Sequence, residues 1–483
     1  MLQHPIPPCT GELNDENLQK LFAGAGDFCI RTLRVGGQSV CAYFIDGLVS
    51  GSEIAEFVFK PLHENLHAGT PAQLLTQAKQ GAVFNAVADD CCDLETAARK
   101  LVNGFCVVLF PGAGALAFEV KTGEKRSPSE PETENTAKGP KDAFTETVRT
   151  NTSLLRRHLR TPALRLYETT VGRRSLTNVT LAYIDGLTDP ALVKQMQQRL
   201  DAIDIDGFTT PAAVEEYLTG SQKTAFPLLQ HTERTDKFAN ALLAGRVGLL
   251  VDGLPVGYLA PVNLGYLMEA AEDRGIDYIS ASFLRVLRYA ALLVTLLLPG
   301  LYTAMAEFHQ QMLPTKLLLA IIESKQSVPF PTVLEVLGLL LAFELLQEAG
   351  MSMPPSVSQS ISVIGGLIVG TAAVEARLIS PAALIVVSGA GICGFVLPNK
   401  GLSDAVRVWR LGLTVCASLA GLYGLTLGAL VLLARLSQLE SFGIAYLAPF
   451  SSLRSGHAIL RPRLAAEKFR DRTLHPQDDK NQA

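Results

Sequence analysis

The sequence predicts an α/β soluble N-terminal region of two tandem related subdomains, followed by an α-helical transmembrane bundle. Three features predict it. Short segments in the first part of the chain recur later in the same order, the mark of a duplicated unit. Four stretches nearer the C-terminus, residues 290–306, 349–374, 378–399 and 411–434, hold no charged residue. Each is near or above the roughly 17–25 residues that a helix needs to cross a bilayer. Everything before them has the mixed composition of soluble protein.

The repeat can be followed residue by residue. Tyr43-Phe44-Ile45-Asp46-Gly47-Leu48 returns as Ala182-Tyr183-Ile184-Asp185-Gly186-Leu187. Ala98-Arg99-Lys100-Leu101-Val102-Asn103-Gly104 is echoed by Asn240-Ala241-Leu242-Leu243-Ala244-Gly245. In each copy a β-rich run, 39–45 or 178–184, ends at Asp-Gly, a turn signal. A helix follows; in the second copy Asp189 is its expected N-cap and Pro190 its first residue. Leu192, Met196, Leu200 and Ile203 then form an apolar face. A later helix ends at Gly104 or Gly245, where glycine suits a left-handed terminus. A buried strand and a tight turn complete each unit.

Two motifs invite a functional reading and lose it on spacing. Asp46 and Asp185 precede glycines, and turn formation alone explains them. Gly112-Ala113-Gly114-Ala115-Leu116-Ala117 resembles a dinucleotide loop, but no helix opens after it to receive a pyrophosphate. A strand–turn–strand hairpin fits better, so no cofactor is expected. Between the copies, residues 121–141 are polar with almost nothing apolar and are expected to form a flexible linker. Arg149, Arg156, Arg157, Arg160 and Arg165, interrupted by Leu154, Leu155 and Leu159, predict an amphipathic helix. Its basic face reads as solvated, or as a contact for lipid headgroups or a partner subunit.

The net charge of −4 is too small to indicate nucleic acid. Eight cysteines, without a CxxC pair, read as reduced thiols, and no catalytic or metal-ligating set is expected. Residues 1–20 carry Pro, Glu and Asp where a signal peptide would be apolar, so the N-terminal region is expected to stay in the cytoplasm. Arg285 and Arg288 precede the first span, and the tail holds Arg454, Arg461, Arg463, Lys468, Arg470 and Arg472. Both ends inside requires an even number of crossings, and four satisfies it. Lys400, Arg407 and Arg410 then fall in an outer loop, against the same rule. The expected boundaries are 1–138 for the first cytoplasmic subdomain with its linker, 139–285 for the second, 286–452 for the transmembrane domain and 453–483 for a basic tail without fixed structure.

Blocks spread over residues 139–452 resemble one family. Gly139-Pro140-Lys141-Asp142-Ala143-Phe144-Thr145-Glu146 with Asn151 and Leu155-Arg156-Arg157 is one. Phe226-Pro227, Thr232-Glu233-Arg234-Thr235-Asp236, Leu243-Ala244-Gly245-Arg246-Val247 and Val251-Asp252-Gly253 follow. Leu298-Pro299, Tyr302, Val328-Pro329-Phe330-Pro331 with Glu335, and Glu348-Ala349-Gly350 continue the order. On these residues the chain resembles the A subunits of the GerA family of spore germination receptors. Thr235 stands where that family usually has proline. The resemblance implies a nutrient-receptor subunit in the inner membrane of a bacterial spore that triggers germination. It implies a transporter-like B subunit and a lipoprotein C subunit as partners, a homo-oligomer and a ligand-gated cation channel. It implies no enzymatic activity. An auxiliary paralogue that amplifies ion release without sensing nutrient is the alternative; a secondary transporter is a more distant one, since the spans lack internal symmetry.

Within the membrane part, Gln359, Ser362, Gly366 and Gly370 recur at helical spacing and are the expected pore-lining residues. Close helix–helix packing is the competing reading. Glu335 and Glu344 flank an apolar segment too interrupted for a simple crossing. They read either as carboxylates of a vestibule or as glutamates in plain water on an interfacial helix.

Overall fold

The computed structural model describes residues 11–481 except 68, 84–86, 122–130, 132, 133, 135, 137, 221, 222, 353–364, 367 and 452–458. The chain divides into two compact units. One holds Met1–Ser221, Leu229–Pro261 and Glu467–Ala483; the other holds Gln222–Leu228 and Val262–Ala466.

The first unit contains two five-stranded antiparallel sheets. Strands β1 (Phe28–Val35), β2 (Gln38–Ile45), β3 (Ala88–Cys91), β4 (Phe105–Phe110) and β5 (Gly114–Glu119) are ordered β1-β2-β4-β5-β3. Strands β6 (Leu164–Val171), β7 (Thr177–Ile184), β8 (Gln230–Thr232), β9 (Val247–Val251) and β10 (Gly257–Ala260) are ordered β6-β7-β9-β10-β8. The two orders are the same, strand for strand, so the sequence repeat is a structural duplication.

Strand β4 explains why the first sheet lies between helices. All six of its residues are buried. Cys106, Val108 and Phe110 face one apolar cluster with Ile54, Val58, Leu62 and Leu74. Phe105, Val107 and Leu109 face another with Ala97, Ala98, Leu101 and Val102 of α1 (Leu94–Val102). A strand buried on both faces loses polar alternation and reads as one continuous apolar run. Each of its large side chains contributes about 1.5–3 kcal/mol on burial. The turn between β4 and β5, with Gly112 at φ +71°, is the hairpin expected in place of a nucleotide loop.

The helices of the unit follow their sequence signals. Asp93 caps α1 by accepting the Thr96 N–H, and Gly104 after it adopts φ +81°. The arginine-rich helix is α2 (Val148–His158), with Leu154 and Leu155 buried. Asp189 accepts the Ala191 N–H to start α3 (Pro190–Asp201), and Leu192, Met196 and Leu200 are buried along it. Helix α4 (Thr235–Leu243) presses Phe238 onto the second sheet. A Cβ on Gly248 would lie 2.1 Å from the Phe238 ring, so only glycine admits it there.

In two segments expected to lack fixed structure, some described residues make specific bonds. Near the end of the linker, Arg234 donates to Glu134 O at 3.2 Å, Thr136 Oγ1 at 2.9 Å and Pro140 O at 2.9 Å. Lys237 pairs with Glu134 at 2.6 Å. In the tail, Arg470 Nε donates to Leu243 O at 3.1 Å, and the Gln477 N–H donates to Leu187 O at 2.8 Å. These bonds have one thing in common: each joins residues far apart along the chain.

The second unit is helical: α5 (Tyr278–Glu307), α6 (Thr315–Lys325), α7 (Thr332–Ser352), α8 (Pro381–Phe395) and α9 (Lys400–Gln438). Among the described residues, α5 and α9, 30 and 39 residues long, are the helices long and apolar enough to cross a membrane. They contain the stretches 290–306 and 411–434. Stretch 378–399 yields the 15-residue α8, and most of stretch 349–374 lies outside the described residues. Residues 400–410, expected as a loop, are the first turns of α9, capped by Asn399. The segment that holds Glu335 and Glu344, expected as a short re-entrant or interfacial helix, is the continuous 21-residue α7. Its prolines lie before its first turn, where they do not cost backbone bonds. Gly300 of α5 meets Leu425 and Ala417 of α9 at 3.0 and 3.4 Å from its would-be Cβ, so a small residue sets this close approach. Helix α9 is broken at Ala420 and Gly421, where Gly421 adopts φ +61° and ψ −141°.

Candidate functional site

Ionisable groups inside the helical unit are the natural place to look, because an unpartnered charge in an apolar bundle is costly. Glu335 lies one turn into α7 and is 3% exposed. Its Oε2 accepts the Ser380 N–H at 2.9 Å. Its Oε1 is buried and has no hydrogen-bond partner among the described residues. Ser380 is the N-cap of α8, and its hydroxyl accepts the Ala383 N–H. Around this point Val336, Leu339, Leu340, Ala383 and Val387 form an apolar cluster, against which Tyr302 packs. So the buried position replaces the expectation of a glutamate in plain water.

Glu344 is nine residues further along α7 and on its opposite side, by the 3.6-residue period. It is bonded by Arg407 Nε at 2.6 Å and Arg410 Nη2 at 2.5 Å, both of α9. Arg407 also meets Asp404 at 2.9 Å. Glu344 is therefore a neutralised link between α7 and α9, and it is not free to draw cations into a vestibule. The same pairing removes the apparent conflict of Arg407 and Arg410 with the charge rule, since their charge is answered within the bundle. Structure does not bring Glu335 and Glu344 together.

Gly366 and Gly370 are helical, and among the described residues a Cβ on either would meet nothing within 4 Å. Gln359 and Ser362 lie outside the described residues. Ser380 and Tyr302 were missed as neighbours of Glu335. The Ser380-Pro381 pair is a readable helix start, but nothing local ties it to a residue 45 positions away.

In the first unit, Arg157 of α2 is exposed, whereas Arg149, Arg156 and the following Arg160 and Arg165 make specific bonds. Arg156 is 1% exposed and grips Asp27 with Nε at 2.8 Å and Nη2 at 2.7 Å. Arg149 pairs with Asp46 at 3.3 Å and Glu168 at 2.9 Å. Arg165 pairs with Asp185 at 2.8 Å and donates to Leu21 O at 2.9 Å. Arg160 donates to Asn103 Oδ1. The bonds to Asp27, Asp46, Leu21 and Asn103 join the duplicated subdomains, and the turn aspartates Asp46 and Asp185 each take one arginine.

A second polar cluster surrounds His158, the last residue of α2. Its Nε2 lies 2.8 Å from Asp142 Oδ2 and 3.0 Å from Thr235 Oγ1. Thr235 also donates to Asp142 Oδ2 at 2.6 Å. The hydrogen bond to Asp142 raises His158 above its ordinary value, and the bond from His158 holds Asp142 down to about 2. All three groups meet at one imidazole nitrogen, so this is a structural clasp rather than a nucleophile–base–orienter chain. Burial pushes the Cys91 and Cys106 thiols up to about 12, which makes them inert. Among the described residues no group of His, Cys, Asp and Glu is placed to hold a metal.

The chain matches the family described as Bacillus/Clostridium GerA spore germination protein over residues 16–473. It is 34% identical over 457 residues to "Uncharacterized membrane protein YfkQ" of Bacillus subtilis (strain 168), covering 93% of this chain and 88% of that one. It is 37% identical over 380 residues to "Spore germination protein A1" of the same organism, covering 77% and 79%. A solved structure, the N-terminal domain of the A subunit of the Bacillus megaterium spore germinant receptor GerK3, is similar at 25% identity and a TM-score of 0.40, covering 53% of this chain and 98% of that chain. With the family match spanning nearly its whole length, the protein belongs to the GerA family of spore germination proteins.

Proposed function

We propose that this chain is the A-type membrane subunit of a germinant receptor, and that copies of it form a ligand-gated cation pathway in the inner membrane of the spore. Helices α5 and α9 would cross that membrane, with the duplicated unit in the cytoplasm. The B and C subunits that the family resemblance implies would be its partners. Membership in a germination family and the two long apolar helices support the membrane reading.

One observation supports the pathway most: among the described residues, a Cβ on Gly366 or Gly370 would meet nothing within 4 Å. Small residues that pack no neighbour leave room for water or for a second copy. The test is cation release from spores carrying Gly366→Leu or Gly370→Leu. Release should fall while the amount of protein stays the same. Unchanged release at equal protein level would remove these residues from the pathway.

The alternative is an auxiliary paralogue that amplifies ion release without sensing nutrient. It predicts that deleting the gene slows germination with every nutrient. The receptor reading predicts loss of the response to one nutrient class.

A further inference from the structure

Of the carboxylates in the helical unit, Glu335 alone combines deep burial with an unanswered oxygen. Glu307 is paired with Lys325 at 3.3 Å and accepts the Thr332 N–H at 2.9 Å. Glu344 holds two arginines. Glu335 makes no ion pair among the described residues, and its single N–H donor comes from the cap of α8. That cap lies at the positive end of a 15-residue helix, which favours a negative charge at Oε2. It does nothing for Oε1. A buried carboxylate oxygen left without a donor carries a desolvation penalty of roughly 1–3 kcal/mol, more when charged.

From this we infer that Glu335 Oε1 is one ligand of a bound monovalent alkali cation, held between α7, α5 and the start of α8. Ser380, whose N–H already bonds Oε2, and Tyr302, which packs against the same cluster, each bring a neutral hydroxyl to this region. The charge balance selects the class of ion. One carboxylate neutralises one positive charge, whereas a divalent ion would leave a net charge buried against the Val336–Leu340 cluster. No second acid or histidine completes a transition-metal set among the described residues. The use of this site in germination rests on the cation pathway proposed above; the binding itself does not.

The test uses the full-length chain in lipid nanodiscs, melted while following the fluorescence of Trp409, the single tryptophan. Potassium or sodium chloride is exchanged for N-methylglucamine chloride at constant ionic strength. The alkali ion should raise the midpoint of the wild type by roughly 2–4 °C. Glu335→Gln, which keeps the shape and removes the charge, should abolish the rise. Tyr302→Phe should shift it to higher salt, and this variant carries the test should Glu335→Gln not fold. Glu348→Gln, on the exposed side of α7, should respond as the wild type. An equal response in Glu335→Gln, or no dependence on the alkali ion in the wild type, overturns the site and leaves Oε1 to a buried water. A melting response without cation flux would retain the site and remove the pathway; flux without a response would do the reverse.

Discussion

Arg156 and Asp27 form the most deeply buried ion pair in the first unit, each side chain 1% exposed. Removing one partner strands the other as an uncompensated buried charge, at a cost of about 3–5 kcal/mol. Arg156→Ala should therefore lower the melting midpoint of the full chain far more than Arg157→Ala, measured side by side by circular dichroism. His158 adds a dependence on pH. Its raised value means that the clasp with Asp142 contributes fully below the ordinary histidine value of 6.5 and is lost as pH rises through the folded value. Asp142, held at about 2, contributes above its ordinary 3.8 and loses that contribution as pH falls through about 2. Stability from the clasp is thus greatest between those two ordinary values. His158→Gln should flatten the decline of the melting midpoint above about pH 6.5. The sequence displays the arginines and leucines of α2, and the helix they form, but not their partners. Asp27 is 129 positions from Arg156, and no periodic pattern carries information across that distance.

Elements were legible where one local rule decides them. Asp189-Pro190 starts α3, Gly104 and Gly245 follow helices with positive φ, and Asp46-Gly47 and Asp185-Gly186 turn the chain. Glycines that serve packing were not legible. Gly248 and Gly257 look like weak points in strands, yet they receive the Phe238 ring of α4. Gly248→Ala should cost about 1–3 kcal/mol by overpacking, read as a lower midpoint of chemical denaturation; a midpoint equal to the wild type would mean that Phe238 can move aside. In the helical unit, absence of charge located α5 and α9 but missed α7. Its three glutamates hide its length from a search for uncharged runs, and one of them, Glu344, is neutralised by Arg407 and Arg410 of α9. Glu335 was singled out for its setting in the sequence, but its burial depends on Ser380 and Tyr302, which only the packed bundle brings near.

At the scale of the molecule, the duplication is the feature that the sequence carried most directly. Two segments in a fixed order were enough to expect two related subdomains, and both sheets have one strand order. The polar composition of the linker and tail predicts freedom, and it says nothing of the bonds that Arg234, Lys237 and Arg470 make with their described residues. Membership in the GerA family gives this architecture a role in spore germination. The central claim, that copies of the chain conduct cations, is tested most directly by single-channel recording of the purified full-length protein in a planar lipid bilayer. The account predicts discrete cation-selective steps that shrink or vanish in Gly366→Leu. A silent bilayer containing correctly folded, inserted oligomers, or steps of unchanged size in the variant, would contradict it.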